Sequence, residues 1–502
     1  MALHSALRNL DISSWSTSEL AFRGFLLILV VLLAKLGISV YRIYLHPLSC
    51  FHGLPAVCIS ENWLYKTTWS GTAEETFEAL HEKYKTKALR IAPNELHITD
   101  IELYKVIYSQ TKPFLKHDKF YDAFNTPHTV FAETDSALHM ERRRLLSPLF
   151  SKVGVYKLEP VIRDKVLALA DKVERLMRSL MTTDIITEFA FSKSANLIDE
   201  SPTDMDSWFL EAFDVGSQSI VEMQYRLILR LAARFLPSWA IMLLSAKVGT
   251  ILRLQMFARD CMERWQAQDQ DESESSLPVV FDSLRSLSDE AKVSEAMDIL
   301  IAGADTTAST LTTAIYHILR NLDIKTRLVK ELDDASLLAK QMPSLQALEG
   351  LECLGACVKE SIRVGMAVPG RLPRVVPAGE PFIVEGKVVP PGTIVGMSTY
   401  TMHNSVEAWG PDARDFNPSR WIGPHSKSLE QWLCTFSKGA RMCLGQNVAP
   451  AEITLALAYF FRNYEMTLAS QQAAPKALDR FTLQYERPGL PVMFRPRVGK
   501  GD

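Results

Sequence analysis

At 502 residues, 47% of them hydrophobic, the chain has enough apolar content for a large core, and its 55 Lys+Arg against 58 Asp+Glu leave a formal net charge of -3. That near-neutral balance gives no electrostatic case for nucleic acid as a partner, so function is sought in a pocket. The seven cysteines, odd in number and without a repeated CxxC pair, fit a reducing compartment better than a disulfide framework and argue against zinc.

The N-terminus departs from soluble behaviour. Gly24 to Ala34 is uninterrupted apolar sequence, and only Lys35 is charged before Tyr41. Residues 20–41 are expected to form a transmembrane anchor, with 1–19 lumenal. The uncharged run is shorter than the roughly 20 residues a spanning helix needs, so a cleaved signal peptide competes, although no small-x-small site closes the run. Asp11 and Glu19 precede it and Lys35, Arg42 and Lys66 follow, with Arg23 opposing, which predicts a cytoplasmic body. The prolines and glycine between Pro47 and Pro55 predict a stiff hinge over 42–55, followed by one large catalytic domain over 56–502.

From there to about residue 365 helical spacing dominates, as in Val161 to Leu180, where apolar residues recur three and four apart. Leu227 to Val248 is strongly apolar but broken by Pro237; a buried helix pair and a second surface dipping into the bilayer both stay open. Gln266 to Ser276 reads as a solvated acidic loop. Ala302 to Thr307 lies inside a long amphipathic helix pattern, where Gly303 and the adjacent threonines predict a local opening. Past residue 370, β-branched residues alternate with Pro and Gly turns, which predicts short strands and hairpins. The expected fold class is mainly α with a small β region near the C-terminal third.

Cys443 carries the sharpest signal. A lone thiol is ordinarily an inert core residue. Here Gly439 and Gly445 allow a tight loop with backbone N–H groups aimed at the sulfur, and Arg441 adds positive charge. A helical pattern begins just downstream, so the positive end of its dipole also favours a thiolate. Phe436, Gly439, Arg441, Cys443 and Gly445 together resemble the haem-binding loop of the cytochrome P450 family, Phe-x-x-Gly-x-Arg-x-Cys-x-Gly, with every fixed position met. Ala449 and Glu452 also match, whereas Pro450 between them departs from the pattern and predicts a kink in the first helical turn.

Three further elements occur in family order. Ala302 to Thr307 resembles the family's distal helix; read from residues alone, Asp305 and Thr306 are equally well a polar interruption on a buried helix. The resemblance implies that Thr306 serves the oxygen side of haem, with Asp305 relaying protons and Ala302 on the same helix face. Glu360 and Arg363, three apart on one helix face, resemble the family's Glu-x-x-Arg pair, which Arg420 would join as a structural triad. The resemblance further implies that Arg441, Arg374, Arg143 and His139, the last in place of a usual Trp, face the haem propionates. Arg142 to Arg144 reads otherwise as a solvated basic face, able to serve a reductase. Residues near 120–130, around 210–225 and after Arg363, including Val368 and Pro369, are expected to wall the substrate pocket.

The resemblance, continuous from about residue 45 to 495, implies a cytochrome P450 fold with Cys443 as axial ligand of haem b iron. It implies a membrane-anchored monooxygenase of the endoplasmic reticulum, most similar to microsomal fungal enzymes of secondary metabolism. Its substrate would be a lipophilic small molecule such as a terpenoid, alkaloid or polyketide. No Gly-x-Gly-x-x-Gly nucleotide fold is present, so electrons would come from NADPH through a separate cytochrome P450 reductase. A haem-thiolate isomerase or dehydratase that needs no reductase, and a non-enzymatic membrane haem protein, are the alternatives.

Overall fold

The first helix, α1 (Thr17–Val40), continues through a π-type turn to Leu45, and Ala21–Leu45 is long and apolar enough to cross a membrane, with none of it buried. The computed structural model of the chain describes residues 16–171, 180–191, 194, 208–237, 246–268, 279–338, 342–469, 476–486 and 489–497. Residues 1–15, and with them most of the segment expected to be lumenal, lie outside these.

The segment expected as a hinge touches the body at two apolar side chains and one bridge. Leu48 and Phe51 are buried, His52 bridges Leu89, and Arg90 N donates to the His52 carbonyl at 2.7 Å. Two buried apolar side chains and this bridge hold the end of the segment against the edge strand of a five-stranded sheet.

That sheet has strands β1 (Ala88–Ala92), β2 (Glu95–Ile98), β3 (Leu115–Lys116), β4 (Arg374–Val375) and β5 (Ile394–Gly396), in the order β1-β2-β5-β4-β3. β2 and β5 run parallel, whereas β4 pairs antiparallel with both β5 and β3. The last pairing sets Lys116 directly opposite Arg374. A separate hairpin, β6 (Ala477–Arg480) and β7 (Thr482–Tyr485), turns at Phe481.

The helical body is formed by α2 (Ser136–Leu146), α3 (Lys152–Asp171), α4 (Leu180–Phe191), α5 (Trp208–Tyr225), α6 (Leu227–Phe235), α7 (Ala246–Gln268), α8 (Asp289–Arg320), α9 (Glu352–Gly365) and α10 (Val448–Asn463), with shorter helices between. Its main core joins α3, α4, α7, α8, α9 and α10, with Ile185, Ala304, Ile315, Leu354 and Leu457 nearly or fully buried. Apolar residues three and four apart on each helix generate these inward faces.

Two local expectations are corrected. α8 is continuous through Gly303: Thr306 Oγ1 donates to the Ala302 carbonyl at 2.7 Å and Thr182 Oγ1 to that of Ala304 at 2.6 Å, so side chains bond the carbonyls without breaking the helix. Pro450 is the third residue of α10, where a backbone N–H has no intrahelical partner to lose. Of Leu227–Val248, α6 is described and its Leu227, Ile228, Leu231 and Phe235 are exposed, which removes the buried helix pair for that part; residues 238–245 lie outside the described ones. Most of Gln266–Ser276 also lies outside them.

Candidate functional site

Cys443 immediately precedes a 3₁₀ turn, Leu444–Gln446, that leads into α10. Its N–H donates to the Phe436 carbonyl at 2.9 Å, which closes the loop that begins at Phe436, itself packed against the core. Gly439 makes the closure possible: its φ is +72°, and a Cβ there would lie 2.3 Å from the Tyr108 carbonyl oxygen. At Gly445 a Cβ would sit 3.7 Å from Cys443 Sγ, an ordinary contact that crowds the sulfur. The residue is open to the space beside it while its sulfur lies deep in the protein volume, and that burial raises the thiol pKa. The Gly445 N–H and the Arg143 guanidinium act in the opposite direction, toward the thiolate.

Cations gather beside this loop, and the carboxylates of Glu133, Asp135 and Asp298 act on them only from beyond ion-pair distance. Lys116 and Arg374 are cross-strand neighbours, a placement in which like charges repel. Lys116 is buried, and burial followed by Arg374 and Arg441 holds its ammonium well below the usual lysine range. Arg441 is lowered to about 10 by burial and by Arg374. His139, buried on α2, is pushed down to about 3 by burial, then by Arg441, Lys116, Arg143 and Arg374, so it is neutral at physiological pH. Protein oxygens satisfy part of this set: Lys116 donates to the Phe131 carbonyl, Arg374 to Tyr121 Oη at 2.6 Å, and Arg441 to the carbonyls of Glu133, Thr134 and Asp135. None of the three forms an ion pair among the described residues. An anionic group carrying carboxylates fits that excess of positive charge.

Arg143 differs from the expectation. Its Nη1 donates to the Met442 carbonyl at 2.6 Å, next to the sulfur, rather than pointing only at the cation cluster. The run Arg142 to Arg144 is not a uniformly solvated face either, because successive helical residues point about 100° apart. Arg142 is half-buried near Glu295, Arg143 faces the cysteine loop, and only Arg144 is exposed.

On α8, Ala302 is exposed and Thr306 half-buried with its hydroxyl on the Ala302 carbonyl, whereas Asp305 is tied down by a distant hairpin. Its Oδ2 accepts from Thr482 Oγ1 at 3.0 Å and Gln484 Nε2 at 3.4 Å on β7, and Gln484 reaches on to Ser217 of α5 at 3.1 Å. Burial raises its carboxyl pKa, and these two donors oppose the rise. Phe120, Phe124, Phe131 and Phe481 form an aromatic wall, with centroids 4.7 Å apart for Phe124–Phe481 and for Phe124–Phe131. Phe481 holds a left-handed φ of 78°, sustained by its N–H bond to Asp479 Oδ1 at 2.9 Å.

Glu360, fully buried on α9, accepts from Arg363 Nε at 2.9 Å and Nη2 at 2.7 Å, from Arg420 Nε at 3.1 Å, from Trp421 Nε1 at 2.8 Å and from Asn417 N at 2.9 Å. The structure thus brings Glu360, Arg363 and Arg420 together. Arg363 also donates to the carbonyls of His403, Ala413 and Asp415, and His403 Nε2 accepts from Cys434 N at 3.0 Å. This braces the chain that leads to Cys443.

Sequence reasoning missed Lys116, Thr482 and Gln484. Nothing adjacent in sequence marks them; strand pairing places the first beside Arg374 and the hairpin places the others on Asp305.

Comparison with known proteins agrees with this geometry. The family model described as Cytochrome P450 matches residues 53–492. Cytochrome P450 monooxygenase aneF of Aspergillus aculeatus is 29% identical over 475 residues, covering 88% of this chain and 93% of that protein. Tryptophan 6-hydroxylase fscE of Fusarium equiseti is 30% identical over 468 residues, covering 88% and 90%. The crystal structure of the cytochrome P450DA heme domain superposes with a TM-score of 0.70 at 18% identity, covering 85% of this chain and 94% of that one, a likeness of fold. With the family model matched over most of its length, the chain belongs to the cytochrome P450 family and is a monooxygenase of that family.

Proposed function

We propose that the enzyme inserts one oxygen atom of O2 into a lipophilic small molecule of fungal secondary metabolism, with electrons drawn from NADPH through a separate reductase. The chemistry that bound haem supplies is reductive activation of O2 and transfer of one oxygen atom. The observation that carries the reading is the Cys443 loop, closed on the Phe436 carbonyl and held against the Tyr108 backbone at left-handed Gly439, beside Lys116, Arg374 and Arg441, none of which forms an ion pair among the described residues.

In this reading Cys443 would hold the haem through its sulfur, and Lys116, Arg374 and Arg441 would hold its two carboxylates. Neutral His139 adds a hydrogen-bond donor, and Arg143 divides its role between propionate and sulfur. Gly439 keeps the loop against the Tyr108–Ser109 backbone. Thr306 on α8 would place a hydroxyl at the oxygen side, and Asp305, whose carboxyl pKa burial raises against the Thr482 and Gln484 donors, would be the acid that relays protons toward it. The phenylalanine wall excludes water and suits a flat, apolar ring system, consistent with the aromatic substrate in the name of the Fusarium relative.

Glu360, Arg363 and Arg420 act structurally, holding the loop's approach. We further read α1 as a single-pass anchor in the endoplasmic reticulum membrane with the body cytoplasmic, the exposed apolar face of α6 touching the same bilayer, and Arg144 on the reductase-facing side.

Two measurements test the core of this. Cys443→Ser should lose the thiolate-type band of the reduced CO complex and all turnover; retention of both overturns the ligand assignment. Microsomes coexpressing the enzyme and a reductase should gain oxygenated metabolites that need NADPH. Product formed equally well without reductase would favour a rearranging enzyme instead.

A further inference from the structure

A cavity of about 650 Å³ unconnected with the roles above opens at the foot of α1, between the β1–β2 turn and the junction of α5 and α6. Arg42 and Arg226 line it together with Glu61, Glu95, Tyr65 and Tyr225. Both carboxylates are already committed: Glu61 to Lys119, and Glu95 to Arg371 at 2.7 Å. The two arginines have only neutral partners, Arg42 Nη1 donating to the Ile59 carbonyl at 2.6 Å and Arg226 Nη2 to Tyr65 Oη at 2.9 Å.

A third guanidinium stands behind them. Arg90 is 1% exposed, donates to the Arg42 carbonyl at 2.9 Å and the Pro93 carbonyl at 2.7 Å, and leaves its Nε without a partner. None of the three forms an ion pair among the described residues. The local field is positive: burial, then Arg90 and Arg42, lowers the pKa of nearby His46. Within three residues of the two lining arginines in sequence, Leu45 at 71%, Leu227 at 58% and Ile228 at 80% are exposed, and Leu45 ends the apolar stretch of α1.

We propose that this cavity binds the phosphate-bearing head group of an anionic phospholipid, with Arg42 and Arg226 as its ligands and Leu45, Leu227 and Ile228 against the acyl chains. Planar guanidinium groups match phosphate oxygens two at a time. The position follows from the reading of α1 as a membrane anchor, because a cavity at the end of the apolar stretch lies at the level of the lipid head groups. A lipophilic substrate passing through would find no counterpart for two unneutralised cations. The site therefore ties the body to the bilayer at a second point and fixes its tilt.

The test uses the full-length haem-loaded enzyme in non-ionic detergent, titrated with dihexanoyl phosphatidylserine, dihexanoyl phosphatidylcholine or inorganic phosphate, with native mass spectrometry counting adducts. The serine lipid should bind at least about tenfold more tightly than either other probe, and Arg42→Gln/Arg226→Gln should abolish that preference while Arg144→Gln keeps it. Equal binding of the two lipids, inorganic phosphate matching the serine lipid, or an unchanged preference in the double variant overturns the proposal. Should the double variant fail to fold, the exposed Arg226→Gln alone must weaken the serine lipid about threefold or more, and no change there overturns it as well. The CO spectrum of each variant, which reports the Cys443 assignment, is independent of these outcomes.

Discussion

Glu360→Gln keeps the shape of a side chain that accepts five hydrogen bonds and removes only its charge. Oε2 accepts two donors, Arg363 Nε and Trp421 Nε1, and Oε1 accepts three, Arg363 Nη2, Arg420 Nε and Asn417 N. Whichever oxygen becomes an NH2 group, it meets donors it cannot accept from, and Arg363, 1% exposed, keeps only carbonyl partners. Breaking a buried pair in this way costs about 3–5 kcal/mol. At ~2.1 cal/mol/K per residue over about 450 residues the entropy of unfolding is ~0.9 kcal/mol/K, so Tm should fall by ~3–6 °C. Circular dichroism and haem absorbance, recorded together on heating, should shift in step, because Arg363 and His403 brace the chain up to Cys434. The apolar replacement Glu360→Leu/Arg363→Met/Arg420→Met should recover most of the loss, since it leaves no buried charge. A Tm change under ~1 °C, or a triple variant far less stable than Glu360→Gln, would refute the reasoning.

Gly439→Ala places a methyl group 2.3 Å from the Tyr108 oxygen in a left-handed backbone, so haem content per chain should drop at least several-fold, measured by pyridine haemochrome; full occupancy would exclude the close approach. In α8, Gly303→Ala puts Cβ 2.5 Å from Ile186 Cγ1 and should cost ~1–3 kcal/mol in urea unfolding, largely relieved by Ile186→Ala; additive losses would show that the two sites do not touch. Glu295, whose carboxyl burial raises from 4.5 to about 8, is protonated in the native state across a range where the unfolded chain is ionised. Stability should therefore fall as pH rises from about 4.5 to about 8, by at most ~5 kcal/mol, and Glu295→Gln should flatten that slope. Thr482→Val removes a donor that opposes the raised pKa of Asp305, so the alkaline limb of product formed per NADPH, where Asp305 loses the proton it supplies, should move to higher pH; an unmoved limb would mean that Asp305 is not the titrating group.

Much of the site is legible in sequence because its chemistry is local. Gly439, Arg441, Cys443 and Gly445 sit within one loop, whose closure needs only a left-handed glycine and a following helix. Glu360 and Arg363 meet because helical neighbours three apart share a face, and the long apolar run of α1 marks itself by composition. Contacts between distant segments are different, since no local pattern encodes which strand or hairpin lands where. Strand pairing alone set Lys116 against Arg374, the β6–β7 hairpin alone bound Asp305, and tertiary packing alone bridged His52 to Leu89. Local sequence accounts for the cysteine loop, the helix-borne pairs and the apolar run of α1. Where buried charges stay unpaired follows from packing, because desolvation and pairing depend on neighbours that the chain order keeps apart.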